Sequence, residues 1–217
     1  MSKFKEMTDQ YLRDTYVPDV YQKTVFSIDF ERLWQHGIRM LSFDVDDTIV
    51  PLEGFSLDKA TVTFFEKLKT RGFSVYLVSN NLIEKRIELF AERLRLPYIA
   101  HAKKPSLAAF NEIRALHQLK TGAAIEPGQM AHIGNSLLSD VGSGKTFGAL
   151  TCLVRNIGNL TRIIKIVRPE ERELRHELEK RGIWVKHHQN VRHDQYYQLG
   201  ELPAYKQSDT RRIHPCT

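Results

Sequence analysis

The sequence predicts an α/β protein built on a central parallel sheet with helices on both faces. Two observations carry that expectation. Short apolar runs alternate with longer segments of helical spacing, which is the pattern of repeated βαβ units. Polar and charged residues also gather directly behind the apolar runs, at the edge where a parallel sheet binds its ligands.

Residues 8–37 read as a short irregular or helical lead-in, broken at Pro18 and Gly37. IRMLSF (38–43) is an apolar run bounded by charge, hence a strand. SLDKATVTFFEKLKTRG (56–72) has apolar residues near helical spacing and ends in glycine, hence a helix. FSVYLV (73–78) is β-branched and aromatic, a strand, and NLIEKRIELFAERL (81–94) is an amphipathic helix. YIAH (98–101) is a short strand. PSLAAFNEIRALHQL (105–119) follows as a helix with proline at its first position. MAHI (130–133) is a strand, 137–147 a helix and LTCLV (150–154) a final strand. The domain expectation is therefore a lead-in over 1–37, a core over 38–168, and a basic C-terminal helix with a partly disordered tail over 169–217.

Composition narrows the class. In 217 residues, 41% are hydrophobic and 27% charged, as in globular proteins. No apolar run approaches the roughly 18 residues that cross a bilayer. The opening MSKFKEMTDQYLRD mixes acids and bases around no apolar stretch, unlike a secretory signal. Cys152 and Cys216 give no disulfide framework and point to a reducing compartment, so the cytoplasm is expected. The net charge is +6, and from Thr161 onward 12 Lys/Arg stand against 8 Asp/Glu. Such a basic end is either a solvated face or an attraction toward an anionic surface, lipid or nucleic acid.

The chemistry lies in the strand ends. FDVDDT sets Asp44, Asp46 and Asp47 behind the first strand, with Thr48 beside them. Buried carboxylates need a partner. Ser79, Asn80 and Asn81 follow the second strand, Lys103 and Lys104 the third, and GNSLLSD (134–140) the fourth. One sheet edge thus gathers acids, a hydroxyl and a lysine, and the carboxylates can be paired with that lysine and a divalent cation. Asp47 reads as a solvent-facing loop residue, and Lys103 competes with Lys104 for the lysine's place.

DxDxT, then Ser, then Lys-Pro, then G-x(5)-D, each behind a strand, resembles the haloacid dehalogenase (HAD) phosphatase superfamily. The motifs span 44–140. VSNN, AKKP and the lead-in YVPDVY further resemble its capless subclass IIIA, and within it the phosphatidylglycerophosphate phosphatase-like group. The resemblance implies a Rossmann-like HAD fold without a large cap domain, and a hydrolase acting through an aspartyl-phosphate. Asp44 would be the nucleophile and Asp46 the acid and base. Lys104 would neutralise the phosphoryl oxygens. Ser79 would hydrogen-bond the phosphoryl group, and Thr48 and Asn80 are grouped with it as substrate-binding. Mg²⁺ would be held by Asp44, the Asp46 carbonyl, Asn135 and Asp140. Where the family has Asp after the motif's glycine, this chain has Asn135, which removes one negative charge and predicts weaker metal binding.

From Asp44 to Ser79 is 35 residues and from Ser79 to Lys104 is 25, too few for a cap domain at either insertion point. An uncapped site suits a large or membrane-held phosphomonoester, such as an anionic phospholipid met at the inner face of a membrane. Two alternatives stand beside it. One is a phosphatase for nucleic-acid ends or soluble metabolites. The other is a catalytically impaired domain binding anionic lipid or nucleic acid through its basic end, with nucleic acid the less favoured partner. SDVGSGKTFG (139–148) fails as a P-loop, because Ser139 stands where that motif needs glycine. His187, His188 and His193 read as a solvated loop, since a zinc site wants better spacing. PEERELRHELEKRG (169–182) reads as an exposed or partly docked helix with Glu/Arg pairs three and four apart.

Overall fold

A computed structural model describes residues 3–158 and 169–184. The expectations for the three C-terminal histidines and for the tail lie outside these residues. Six parallel strands form one sheet: β1 (Val20–Gln22), β2 (Met40–Phe43), β3 (Ser74–Val78), β4 (Tyr98–Ile99), β5 (Met130–Gly134) and β6 (Leu150–Val154). Their order is β1-β6-β5-β2-β3-β4. From β2 the chain first builds outward through β3 and β4, then returns to the other side of β2 for β5 and β6. Between β2 and β5 lies the reversal point at which such sheets open a crevice.

Alternation along β2 sorts its side chains between two layers. Leu41 and Phe43 enter the core formed with α2 (Phe30–Gln35), α3 (Lys59–Arg71) and α4 (Glu84–Leu94), through Phe30, Leu33, Phe65, Leu68, Ile87 and Phe90. Met40 enters the opposite layer, with Phe110 and Ile113 of α5 (Ala108–Thr121). A third cluster joins α1 (Asp9–Tyr16), the π-helical turn Leu137–Val141 that runs into α6 (Gly142–Phe147), and α7 (Pro169–Lys180). In it Leu174 and Leu178 of α7 are fully buried with Phe4, Leu12 and Trp184. Among the described residues, no helix is long and apolar enough to cross a membrane.

Two local expectations are corrected. The lead-in contributes β1, which pairs with β6 because Asp19 accepts from the backbone N–H and the hydroxyl of Thr151 (2.8 and 2.9 Å). A strand of three residues is too short to register as a periodic signal. Pro105 does not open α5: it follows a cis Lys104–Pro105 peptide, in a turn closed by Ser106 N–H to Lys103 C=O (2.9 Å), and the helix begins at Ala108. The helix α7 is partly docked, one of the two states expected of it: Leu174 and Leu178 are buried together with Glu171 and Glu177, and its other face is exposed.

Candidate active site

The backbone of β2 runs one residue past the strand, with Asp44 N–H donating to Ile133 C=O (2.8 Å), before the chain turns sharply. The N–H groups of Ile49 and Val50 return to Val45 C=O (2.9 and 3.2 Å), so Asp44, Asp46 and Thr48 come to lie in one tight loop. Thr48 Oγ1 donates to Asp44 Oδ2 at 3.1 Å. Asp47 departs from expectation: it is buried, with φ +59°, and is not solvent-facing. Its Oδ1 accepts from Leu52 N–H (3.0 Å) and its C=O from Ile157 N–H (3.1 Å), so it knits the loop to the segment behind β6.

Of the two lysines, Lys103 is exposed and Lys104 buried. Lys104 Nζ lies 2.8 Å from Asp44 Oδ1 and 2.7 Å from Asp140 Oδ1, and also donates to Val78 C=O (2.8 Å). Burial works against its charge, but Asp140 and Asp44 outweigh burial and hold its pKa above the ordinary lysine value. The Asn80 amide grips the Lys104 backbone from both ends, accepting from its N–H (2.8 Å) and donating to its C=O (2.9 Å). Asn80 therefore fixes the lysine instead of presenting its amide to a ligand. Ser79 is buried at the end of β3, its Oγ accepting from Asn81 N–H at 3.1 Å.

Asp140 is fully engaged. Its Oδ1 meets Lys104 and His132 Nε2 (3.3 Å), and its Oδ2 accepts from the N–H groups of Asn135 and Ser136 (3.0 and 2.9 Å). Burial opposes its charge, but Lys104 and His132 hold its pKa far below the usual carboxylate range. Through these four contacts Asp140 shapes the loop behind β5. Gly134 is required beside it, because a Cβ there would run into the Asp140 carboxyl group.

Asn135 has the opposite character. Its Nδ2 donates to Asp46 C=O (3.2 Å), while its Oδ1 is buried with no hydrogen-bond partner among the described residues. A buried acceptor without a donor is costly, and a hard cation would satisfy it. The Asp46 carbonyl keeps a second lone pair for the same ion, and Asp44 supplies a carboxylate. The donor set is all oxygen, which fits Mg²⁺ chemistry.

The chain aligns with the probable phosphatase YqeG of Bacillus subtilis (strain 168) at 31% identity over 172 residues, 79% of this chain and 96% of that protein. It belongs to the HAD-type phosphatases. No protein-family model matches it. Among solved structures, an uncharacterized protein of Listeria monocytogenes serotype 4b aligns at 18% identity and TM-score 0.41, over 52% of this chain and 76% of its own. A HAD phosphatase of Thermococcus onnurineus aligns at 19% and 0.37, over 52% and 59%. The cobalt-bound deoxy-D-mannose-octulosonate 8-phosphate phosphatase of Haemophilus influenzae aligns at 13% and 0.37, over 68% and 91%.

This HAD phosphatase carries site residues that the sequence did not announce. Arg86 of α4 is buried, and its Nη1 meets Asp46 Oδ1 at 2.6 Å while Asn81 Nδ2 donates to Oδ2 at 2.8 Å. Arg86 Nη2 donates to the carbonyls of Pro51, Leu52 and Gly54 (3.0, 3.0 and 2.8 Å), tying the loop behind Asp46 to the helix. His132 is buried on β5 between Asp140 and Ser42, and burial pushes its pKa down. Around this loop and the start of α4, large apolar side chains stand in solvent, with Phe55 73%, Leu82 79% and Ile83 60% exposed.

Proposed function

We propose that this phosphatase is a Mg²⁺-dependent phosphomonoester hydrolase that works through an aspartyl-phosphate on Asp44. Its substrate class is an amphiphilic phosphomonoester such as phosphatidylglycerophosphate, met at the cytoplasmic surface of a membrane. The observation that carries the chemistry is the buried Asp44–Lys104 pair at the carboxyl end of β2. An ionised nucleophile is kept in place there beside a cation that can neutralise phosphoryl oxygens.

Asp44 would attack phosphorus and the ester P–O bond would break, its oxygen taking a proton from Asp46. Asp46 would then accept a proton from water as that water attacks, releasing phosphate and restoring Asp44. Asp46 Oδ2 is the oxygen suited to carry this proton, since its partner is the neutral Asn81 amide while Oδ1 faces the Arg86 guanidinium. When bound, Mg²⁺ would neutralise charge on the phosphoryl group, held by Asp44, the Asp46 carbonyl and Asn135 Oδ1.

The apolar fringe supports the substrate class. Phe55 lies against the Arg86 guanidinium (5.6 Å to the ring centre) and Ile83 one turn before Arg86, so exposed apolar side chains stand on the side of the site where Arg86 holds Asp46. A soluble sugar phosphate gains nothing from such neighbours; an acyl or glycerolipid portion does.

The test is phosphate release from phosphatidylglycerophosphate in mixed micelles and from an aryl phosphate, each with and without Mg²⁺. Rapid Mg²⁺-dependent release from the lipid, abolished in Asp44→Asn, is expected. Release from the aryl phosphate alone would overturn the substrate class. Full activity in Asp44→Asn would overturn the mechanism.

A further inference from the structure

We infer that Glu171 and Arg175 of α7 are positioning residues for the metal-binding amide of Asn135, which makes the C-terminal helix a working part of the site. This rests on the divalent-cation reading above.

The argument starts from a carboxylate where none is expected. Glu171 is buried, and each of its oxygens accepts twice. Its Oε1 takes Leu137 N–H (2.9 Å) and Arg175 Nε (2.8 Å), and its Oε2 takes Ser136 Oγ (2.7 Å) and Leu138 N–H (2.7 Å). These backbone donors open the helical stretch behind β5, where an anion is favoured by unsatisfied N–H groups and by the helix dipole. The anion comes from a helix more than 30 residues further along the chain, as the Ser136–Glu171 separation of 35 records.

The consequence falls on Asn135. Its N–H is held by Asp140 Oδ2 (3.0 Å), its C=O by Arg175 Nη2 (3.3 Å) and its Nδ2 by Asp46 C=O (3.2 Å). Every polar group of the residue is fixed except Oδ1, the buried acceptor without a donor. Asp140 pins the loop from the sheet side, and Glu171 with Arg175 pins it from the α7 side. Without that second side, the orphaned N–H groups of Leu137 and Leu138 would seek other acceptors, and the loop would rotate Oδ1 off its direction. A neutral amide ligand gives a cation less than a carboxylate does, so its affinity depends more on preorganisation.

The same helix supplies its own control. Glu177 pairs with Arg181 (2.7 Å) four residues on, and Arg181 donates to Met7 and Lys5 carbonyls, away from the site. Glu171→Gln and Glu177→Gln thus each loosen α7, but only the first acts on the loop that follows Asn135, through Ser136, Leu137 and Leu138.

Binding of Mn²⁺, as a paramagnetic stand-in for Mg²⁺, is measured by electron paramagnetic resonance on the full chain without substrate. Wild type, Glu171→Gln, Arg175→Gln, Glu177→Gln and Asp44→Asn are compared. About a tenfold weaker Kd in Glu171→Gln, a smaller loss in Arg175→Gln and none in Glu177→Gln is expected, in line with second ligand spheres elsewhere. Equal Kd for Glu171→Gln and wild type, or equal losses in Glu171→Gln and Glu177→Gln, would overturn the inference. If Glu171→Gln does not fold, Arg175→Gln against Glu177→Gln decides it in the same way. Should wild type bind no Mn²⁺ that Asp44→Asn abolishes, the metal reading itself fails, which is a different result.

Discussion

A single ammonium group settles the charge balance at the centre of the site. Lys104 touches two buried carboxylates, Asp44 and Asp140, and its side chain is 1% exposed. Removing one member of a buried pair leaves an uncompensated charge and costs about 3–5 kcal/mol. Lys104→Met should therefore lower the urea midpoint strongly, because two anions then face each other across the space that the ammonium filled. Asp140→Asn should also destabilise, as it weakens the same contact and disturbs the loop N–H groups of Asn135 and Ser136. The double variant removes the mutual exposure of the two carboxylates, so its loss should be smaller than the sum of the single losses. Strict additivity in a double-mutant cycle would mean that Lys104 is not the link between them.

At the scale of elements, α4 acts as a clamp through one residue. Arg86 binds Asp46 and the carbonyls of the 51–54 loop together, so the helix sets the orientation of Asp46 from outside the sheet. Arg86→Met keeps the stem and loses these donors. Faster hydrogen exchange at Leu52 and Gly54 should follow, together with a fall in turnover of roughly a hundredfold from misplacement of Asp46. Wild-type exchange at both amides would show that the loop is held by something else. Nothing in the sequence marks Arg86, whose partners lie 32 to 40 residues earlier and whose place on an amphipathic helix reads as solvent face. The strand ends were legible because a parallel sheet collects them on one edge: Asp44, Thr48, Lys104 and Asn135 converge there as their positions foretold. Helix starts were not legible to the residue. Asp58 caps α3 by accepting from Thr61 N–H (2.7 Å), which moves its start from 56 to Lys59. The burial of Asp47 and Glu171 was also hidden, since it depends on segments that meet only in the folded chain.

Across the whole molecule, one buried chain of polar groups joins β2, β5 and the loops behind them: Ser42, His132, Asp140, Lys104 and Asp44. It couples folding to pH. Burial holds the His132 pKa below its ordinary 6.5, and the Lys104 charge adds to that, while the Asp140 contact opposes it. The native ring therefore stays neutral where an unfolded histidine takes up a proton. Below about pH 6.5 the unfolded state binds more protons, so stability falls as pH falls, by at most roughly 1.4 kcal/mol per pH unit for one group. His117 on α5 is shifted the same way, by burial and by Lys120. Asp140, held below its ordinary value, contributes stability above about pH 4 and loses it only in stronger acid. The two effects thus occupy separate pH windows. In urea unfolding at pH 7.5, 6.0 and 5.0, His132→Gln should lose stability less steeply with falling pH than wild type. A residual slope from His117 should persist, and the steep loss below pH 4 should be retained. The comparison is of slopes, so any fixed cost of the substitution drops out. An unchanged slope between pH 6.0 and 5.0 would place the proton uptake outside the site, and the acid sensitivity of the fold would then have to come from elsewhere in the chain.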